Sequence, residues 1–114
     1  KTKNNFVLFG SGKEKRDFSY VEDQVKSIIL LSKKIKKPHG DIYNIASGKA
    51  YSVKDIVKRL IKISKKKVVY SFNQKRRSFD TKHYIADKSK LNKAIGSIKY
   101  MDINKSLKKT FDSY

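Results

Sequence analysis

Short β-prone runs and helix-spaced apolar stripes alternate along the whole chain, and this alternation is the strongest constraint on its fold. Phe6 to Phe9 is an apolar run ended by Gly10-Ser11-Gly12, the pattern of a strand entering a tight turn. A second extended piece is expected from Asp17 to Val21. From there Val21, Val25, Ile28, Ile29 and Ile35 recur at helical spacing until Pro38 and Gly40 stop the helix. Asp41 to Ala46 is nearly continuously apolar and β-prone, which predicts a strand covered on both faces and closed by Ser47-Gly48. Ser52 followed three residues later by Asp55 predicts a capping box. Behind it Val53, Ile56, Val57, Leu60 and Ile61 form one helix face. Val68 to Tyr70 reads as a further strand. Asp87 is expected to cap a short helix that carries Leu91 and Ile95 and ends at Gly96. Asp102 is expected to cap the last helix, with Ile103, Leu107, Phe111 and Tyr114 on one face. No repeat or linker interrupts the series, so the expectation is α/β in class: short strands and about four helices in a single domain over residues 1–114.

Composition narrows the function classes. A chain of 114 residues with 38% apolar residues, one Pro and five Gly can form one small domain with a modest core, and is not disordered or low-complexity. The lack of Cys removes disulfide scaffolds, thiolate zinc sites and cysteine nucleophiles, and fits the reducing cytoplasm, the expected location. The longest apolar run, Ile28 to Leu31, is far short of the roughly 20 residues of a membrane span. No membrane partner is expected. Against 10 Asp and Glu stand 29 Lys and Arg, a formal charge of +19 that raises nucleic acid as a partner. Yet the arginines, with the bidentate fork that suits phosphate, are only Arg16, Arg59, Arg76 and Arg77. Lysines spread over the whole chain read as solvated faces. A small basic nucleic-acid-binding module stays as the alternative, with Phe72, Phe79 and Tyr84 as a base-stacking strip.

No catalytic or metal centre is expected. His39 and His83 stand alone, without the spaced partners that coordination requires. Gly10-x-Gly12 lacks a third glycine and no helix follows directly, so it reads as a plain turn and not as a dinucleotide-binding loop. Four other stretches form an ordered series: Arg16-Asp17-Phe18-Ser19-Tyr20-Val21-Glu22-Asp23, then Tyr43-Asn44-Ile45-Ala46-Ser47-Gly48, then Arg77-Ser78-Phe79-Asp80, then Ile85-Ala86-Asp87-Lys88-Ser89-Lys90. With the Ser52-Val53 helix start, the series resembles the C-terminal part of NAD-dependent nucleotide-sugar epimerases and dehydratases, the extended branch of the short-chain dehydrogenase/reductase superfamily. The likeness runs from about Phe6 to Tyr114.

That resemblance implies a C-terminal substrate-binding lobe whose ligand is a nucleotide-diphosphate sugar. It gives Arg16 and Arg77 to the phosphates and Asp80 to the ribose hydroxyls. The chemistry is suited to each: a guanidinium offers paired N–H donors to phosphate oxygens, and a carboxylate accepts from two adjacent hydroxyls, at about 1.5–3 kcal/mol per charge-assisted bond. On the alternative reading Arg16 pairs with Glu14 or Asp17, and Arg77 belongs to the basic run from Lys75. Asp23 and Asn44 are expected to be structural. The resemblance also places NAD or NADP, its glycine-rich loop and a catalytic Tyr-x-x-x-Lys pair in an N-terminal Rossmann lobe. No cofactor and no such pair is expected in this chain. It is therefore expected to be a fragment, inactive alone and self-associating through the surface the absent lobe would cover. The chain departs from the family pattern at Ser78-Phe79, where Pro-Gly is usual, at Ala46, where Gly is common, and at Ser97-Ile98, where Gly-Trp often stands.

Overall fold

Among the described residues, two pairs of short strands and four helices follow one another along the chain. The computed structural model describes residues 5–36, 40–75 and 81–114. Strand β1 (Asn5–Leu8) lies parallel to β4 (Val69–Phe72), in a register that sets Asn5 beside Val69 and Leu8 beside Phe72. Between them in sequence, β2 (Lys15–Asp17) pairs antiparallel with β3 (Ala50–Ser52), Arg16 opposite Tyr51. A parallel pair needs a long crossover. Here it contains β2, helix α1 (Val21–Lys34), β3 and helix α2 (Val53–Ser64). Helices α3 (Ser89–Ile95) and α4 (Ile103–Asp112) complete the fold, α3 against α1 and α4 against α2.

The helix starts follow local chemistry. The Ser52 hydroxyl accepts from Asp55 N–H at 3.1 Å and caps α2. Asp102 accepts from Asn104 N–H at 2.9 Å and Lys105 N–H at 3.3 Å, and so caps α4. Asp87 acts one residue before the geometric cap of α3, its carboxylate accepting from Ser89 N–H at 2.8 Å. The Ser89 hydrogen bonds hold that carboxyl below its ordinary range. Gly96 ends α3 at φ 83°.

One expectation fails outright: Asp41 to Ala46 is not a strand. A β-prone run becomes a strand only beside a partner, and both observed pairs lie elsewhere. Ile42 is 82% exposed. The segment is tied down by Asn44, which donates to the Asp87 carbonyl at 3.0 Å, and by Lys90, which reaches Asp41 at 2.8 Å. The second extended piece also sits earlier than expected, over Lys15–Asp17, where pairing with β3 fixes it.

Helix α1 faces an unusual way. Its fully buried residue is Ser27, whose hydroxyl bonds the Asp23 carbonyl at 2.8 Å and the Tyr100 hydroxyl at 3.0 Å. Asp23 accepts from Met101 N–H at 2.9 Å and so holds the chain before α4, as Asn44 holds the chain before α3. The apolar stripe points the other way: Val21, Val25, Ile28 and Ile29 are 60%, 47%, 54% and 47% exposed. Among the described residues the buried apolar side chains are Ala46, Ile56, Leu91 and Ile103. The radius of gyration is 17.3 Å, where a compact chain of this length has roughly 13 Å.

Candidate functional site

Strand β1 ends in the Gly10–Glu14 loop, which is held by an unusual number of fixed contacts. Glu14 Oε1 accepts from Ser11 N–H at 3.0 Å and from the Ser11 hydroxyl at 2.9 Å. These bonds, the Ser11 amide first, hold the Glu14 carboxyl down at about 2. The sequence carries a signal for this in its Ser-x-x-Glu spacing, a capping-box pattern used here without a helix behind it. The loop also rests on the start of α2, where Lys54 N–H donates to the Gly12 carbonyl at 2.9 Å and Val53 N–H to the Glu14 carbonyl at 3.0 Å.

The loop does not fit a dinucleotide. Gly12 has φ 76°, and a Cβ there would overlap the Phe72 ring. A Cβ on Gly10 would stand 3.0 Å from the Glu14 carboxylate. Protein side chains thus fill the space over both glycines, where a pyrophosphate would have to approach. Phe72 is also engaged in this packing and in an edge contact with Tyr70, centroids 5.9 Å apart, so it is not free to stack on a base. Of the proposed stacking strip Tyr84 is exposed, while Phe79 lies outside the described residues.

Arg16 follows on β2. Its Nη1 donates to the Lys15 carbonyl at 2.9 Å and to the Thr81 carbonyl at 2.5 Å. Both acids named as its surface partners have other bonds: Glu14 holds Ser11, and Asp17 accepts from Ser47 N–H at 3.0 Å, the Ser47 hydroxyl at 2.6 Å and Gly48 N–H at 2.8 Å. Asp17 therefore ties the Arg-Asp-Phe stretch to the Ser47-Gly48 turn. Two of the sequence series meet there.

Described residues that flank the third series bond to the Gly10–Glu14 loop and to β2. Gly10 N–H donates to the Lys75 carbonyl and Gln74 N–H to the Gly10 carbonyl, each at 3.1 Å. On the far side Lys15 N–H donates to the Lys82 carbonyl at 3.0 Å, and Tyr84 N–H to the Lys15 carbonyl at 3.1 Å. Arg77 and Asp80 lie outside the described residues, but Lys75 and Thr81, described residues on either side of them, are both bonded to the loop and strand that carry Arg16. A cleft of about 330 Å³ opens here, lined by Gly10, Ser11, Lys13, Glu14, Gln74 and Lys82. No side-chain pattern marks the Thr81–Tyr84 partners in the sequence, because they act through backbone groups.

A Tyr-x-x-x-Lys spacing does occur, at Tyr84 and Lys88, although none was expected. It lies before α3 and not on a helix, so the spacing does not set both side chains on one face. Lys88 Nζ donates to the Ser47 carbonyl at 2.8 Å and lies 4.9 Å from the centre of the Tyr100 ring. His39 lies outside the described residues, and His83 is exposed in a bridge to Lys15.

The fold and the ordered motifs define an α/β lobe of the NAD-dependent nucleotide-sugar epimerases and dehydratases, the extended short-chain dehydrogenase/reductase class. Residues 1–110 match the model of the GDP-mannose 4,6-dehydratase family, and the chain belongs to that family. A UDP-glucose epimerase of Bacillus subtilis, itself described as uncharacterised, is 36% identical over 71 residues, which make up 60% of this chain and 22% of the relative. The UDP-glucose 4-epimerase of Thermotoga maritima, solved with UDP-glucose, superposes with a TM-score of 0.75 at 27% identity, over 95% of this chain and 34% of its own. The UDP-glucuronic acid 4-epimerase of Bacillus cereus, solved with UDP-glucuronic acid and NAD, gives 0.79 at 27% identity over 93% and 33%. The chain thus spans about a third of the length of these solved relatives. Among the described residues no helix is long and apolar enough to cross a membrane.

Proposed function

We propose that this chain supplies the substrate grip of a nucleotide-sugar epimerase or dehydratase: Arg16 and Arg77 bind the diphosphate, and Asp80 binds the ribose. The observation that supports this most is the junction at Thr81, where the Arg16 guanidinium reaches the carbonyl of the residue that follows Asp80 in sequence. The Arg16 motif thereby touches the residue next to the Arg77–Asp80 stretch, which favours a ligand shared by the two. Hydride transfer with NAD or NADP belongs, on this reading, to a Rossmann lobe outside these residues, seated on the exposed stripe of α1. The chain forms the single domain that completes the pocket.

Calorimetry with UDP-glucose and GDP-mannose tests the assignment. Arg16→Ala is expected to weaken binding by roughly 10- to 100-fold, the loss of one charge-assisted bond. Asp80→Ala is the sharper variant. It removes a negative charge, so attraction to phosphate by charge alone would leave affinity equal or raise it, whereas loss of the ribose contacts lowers it. Tighter or unchanged binding by Asp80→Ala refutes the ribose role. In an enzyme that includes the dinucleotide-binding lobe, an unchanged KM refutes it equally.

A further inference from the structure

Helices α2 and α4 enclose a second and larger depression, of about 720 Å³, which the nucleotide-sugar reading does not use. Its cations are Lys58, Arg59, Lys62, Lys65, Lys105 and Lys108, and among the described residues Ile63 and Asn104 line it besides. Six of eight residues here are cations, against 29 of 114 in the whole chain, so the enrichment exceeds what the composition alone supplies. Acids nearby do not balance them. Lys108 pairs with Asp112 at 2.8 Å, while among the described residues no carboxylate lies within ion-pair distance of Lys58, Arg59, Lys62, Lys65 or Lys105.

Helix electrostatics explain only part of this set. Lys62 and Lys65 stand at the C-terminal end of α2, where the helix dipole favours a cation. Lys105 stands in the first turn of α4, where the dipole disfavours one, and Lys58 lies mid-helix. Arg59 is held in place, bonded to Asn104 across the two helices and stacked 5.5 Å from the centre of the Tyr51 ring. On α2, Lys58, Lys62 and Lys65 follow i, i+4, i+7 spacing and so form one row. Lys105 and Lys108, three apart, form a second row on α4. Two facing rows of cations along a concave channel suit an extended polyanion better than a planar surface. Among the described residues no aromatic side chain is in the lining, so it offers bases no stacking surface. Recognition would be of backbone phosphates and indifferent to sequence.

We propose that the channel between α2 and α4 binds the phosphodiester backbone of a nucleic-acid strand. The test uses a fluorescent oligothymidylate of about 12 nucleotides, read by anisotropy with this chain and two variants of equal net charge. The channel variant is Lys58→Glu/Lys62→Glu/Lys105→Glu, and the control is Lys26→Glu/Lys33→Glu/Lys34→Glu on α1. The channel variant is expected to lose at least tenfold more affinity than the control. Its plot of log affinity against log salt should be shallower by about 2, at roughly 0.7 per phosphate for single strands. Equal losses in the two variants would reduce the effect to overall charge and overturn the proposal, as would unchanged affinity in the channel variant. Binding to phosphatidylserine vesicles that needs the channel lysines, without oligonucleotide binding, would overturn it in favour of a membrane surface. Should the reversals disturb folding by circular dichroism, Lys→Gln changes at the same positions are compared in the same way.

Discussion

A Cβ at Gly12 would stand 2.7 Å from Phe72 Cε2, and the backbone there has φ 76°. Both facts act against any other residue: the left-handed backbone costs about 1–2 kcal/mol and forced repacking about 1–3 kcal/mol. Gly12→Ala is expected to lower unfolding stability by about 2–4 kcal/mol, seen as a shift in the urea midpoint. Phe72→Leu in the same background should recover part of the loss. An unshifted midpoint would show that the ring moves aside freely. Glu14, two residues on, carries a pH signature. Its carboxyl lies at about 2, below the ordinary value of 4.5, because the Ser11 amide, its own amide and the Ser11 hydroxyl bond to the charged form. A lowered pKa binds protons less tightly in the folded state, so the stabilisation is complete above pH 4.5 and is lost as pH falls towards 2. Glu14→Gln should flatten stability against pH in that window and leave the slope near neutrality unchanged. If the two proteins lose stability in parallel from pH 4.5 to 2, the bonded carboxylate is not the cause.

At the level of elements, the local signals are the ones the sequence shows and the structure repeats. Caps at Ser52 and Asp102 are fixed by hydrogen bonds over two or three residues, and the helix periods by neighbours three or four apart. Asp102→Ala should cost about 1 kcal/mol of stability and reduce helix content at the C-terminal end, measured by circular dichroism. No loss would mean that packing of Ile103 alone sets the start of α4. What the sequence hides is non-local. Asp41 to Ala46 has the residues of a strand but no neighbouring strand among the described residues, and the pattern cannot report that lack. The stripe of α1 shows that an apolar face exists, not that Ser27 is the residue turned inward. At the site the Arg-Asp-Phe stretch is legible by its likeness to a family, yet its two charged residues divide their work. Asp17 binds the Ser47-Gly48 turn, whereas Arg16 reaches the chain after Asp80.

For the whole molecule, the extended shape and thin core leave apolar surface without cover. The dimensions are 58 × 34 × 18 Å, and the exposed stripe of α1 borders an open apolar depression along Val21, Val25 and Ile29. Burying a Val or Ile side chain fully is worth about 1.5–3 kcal/mol, so covering four that are half exposed on each of two copies supplies roughly 6–12 kcal/mol. Association costs about 4–15 kcal/mol in lost freedom. The stripe alone thus supports only weak pairing of two copies, and the +19 charge of each copy opposes it. Salt shifts that balance, because the screening length falls from about 10 Å at 0.1 M to about 3 Å at 1 M. Sedimentation equilibrium is therefore expected to show a mostly monomeric chain at low salt and a mass that rises with both salt and concentration. Val25→Glu/Ile29→Glu should keep the chain monomeric at every salt concentration. Its helix content should hold, since both side chains are exposed and glutamate is a better helix former than valine or isoleucine. A wild-type chain that stays monomeric at high salt and concentration would show that the stripe is not sticky. Assembly undiminished in the double variant would move the contact elsewhere, to the outer side of β1, where Phe6 and Val7 are exposed.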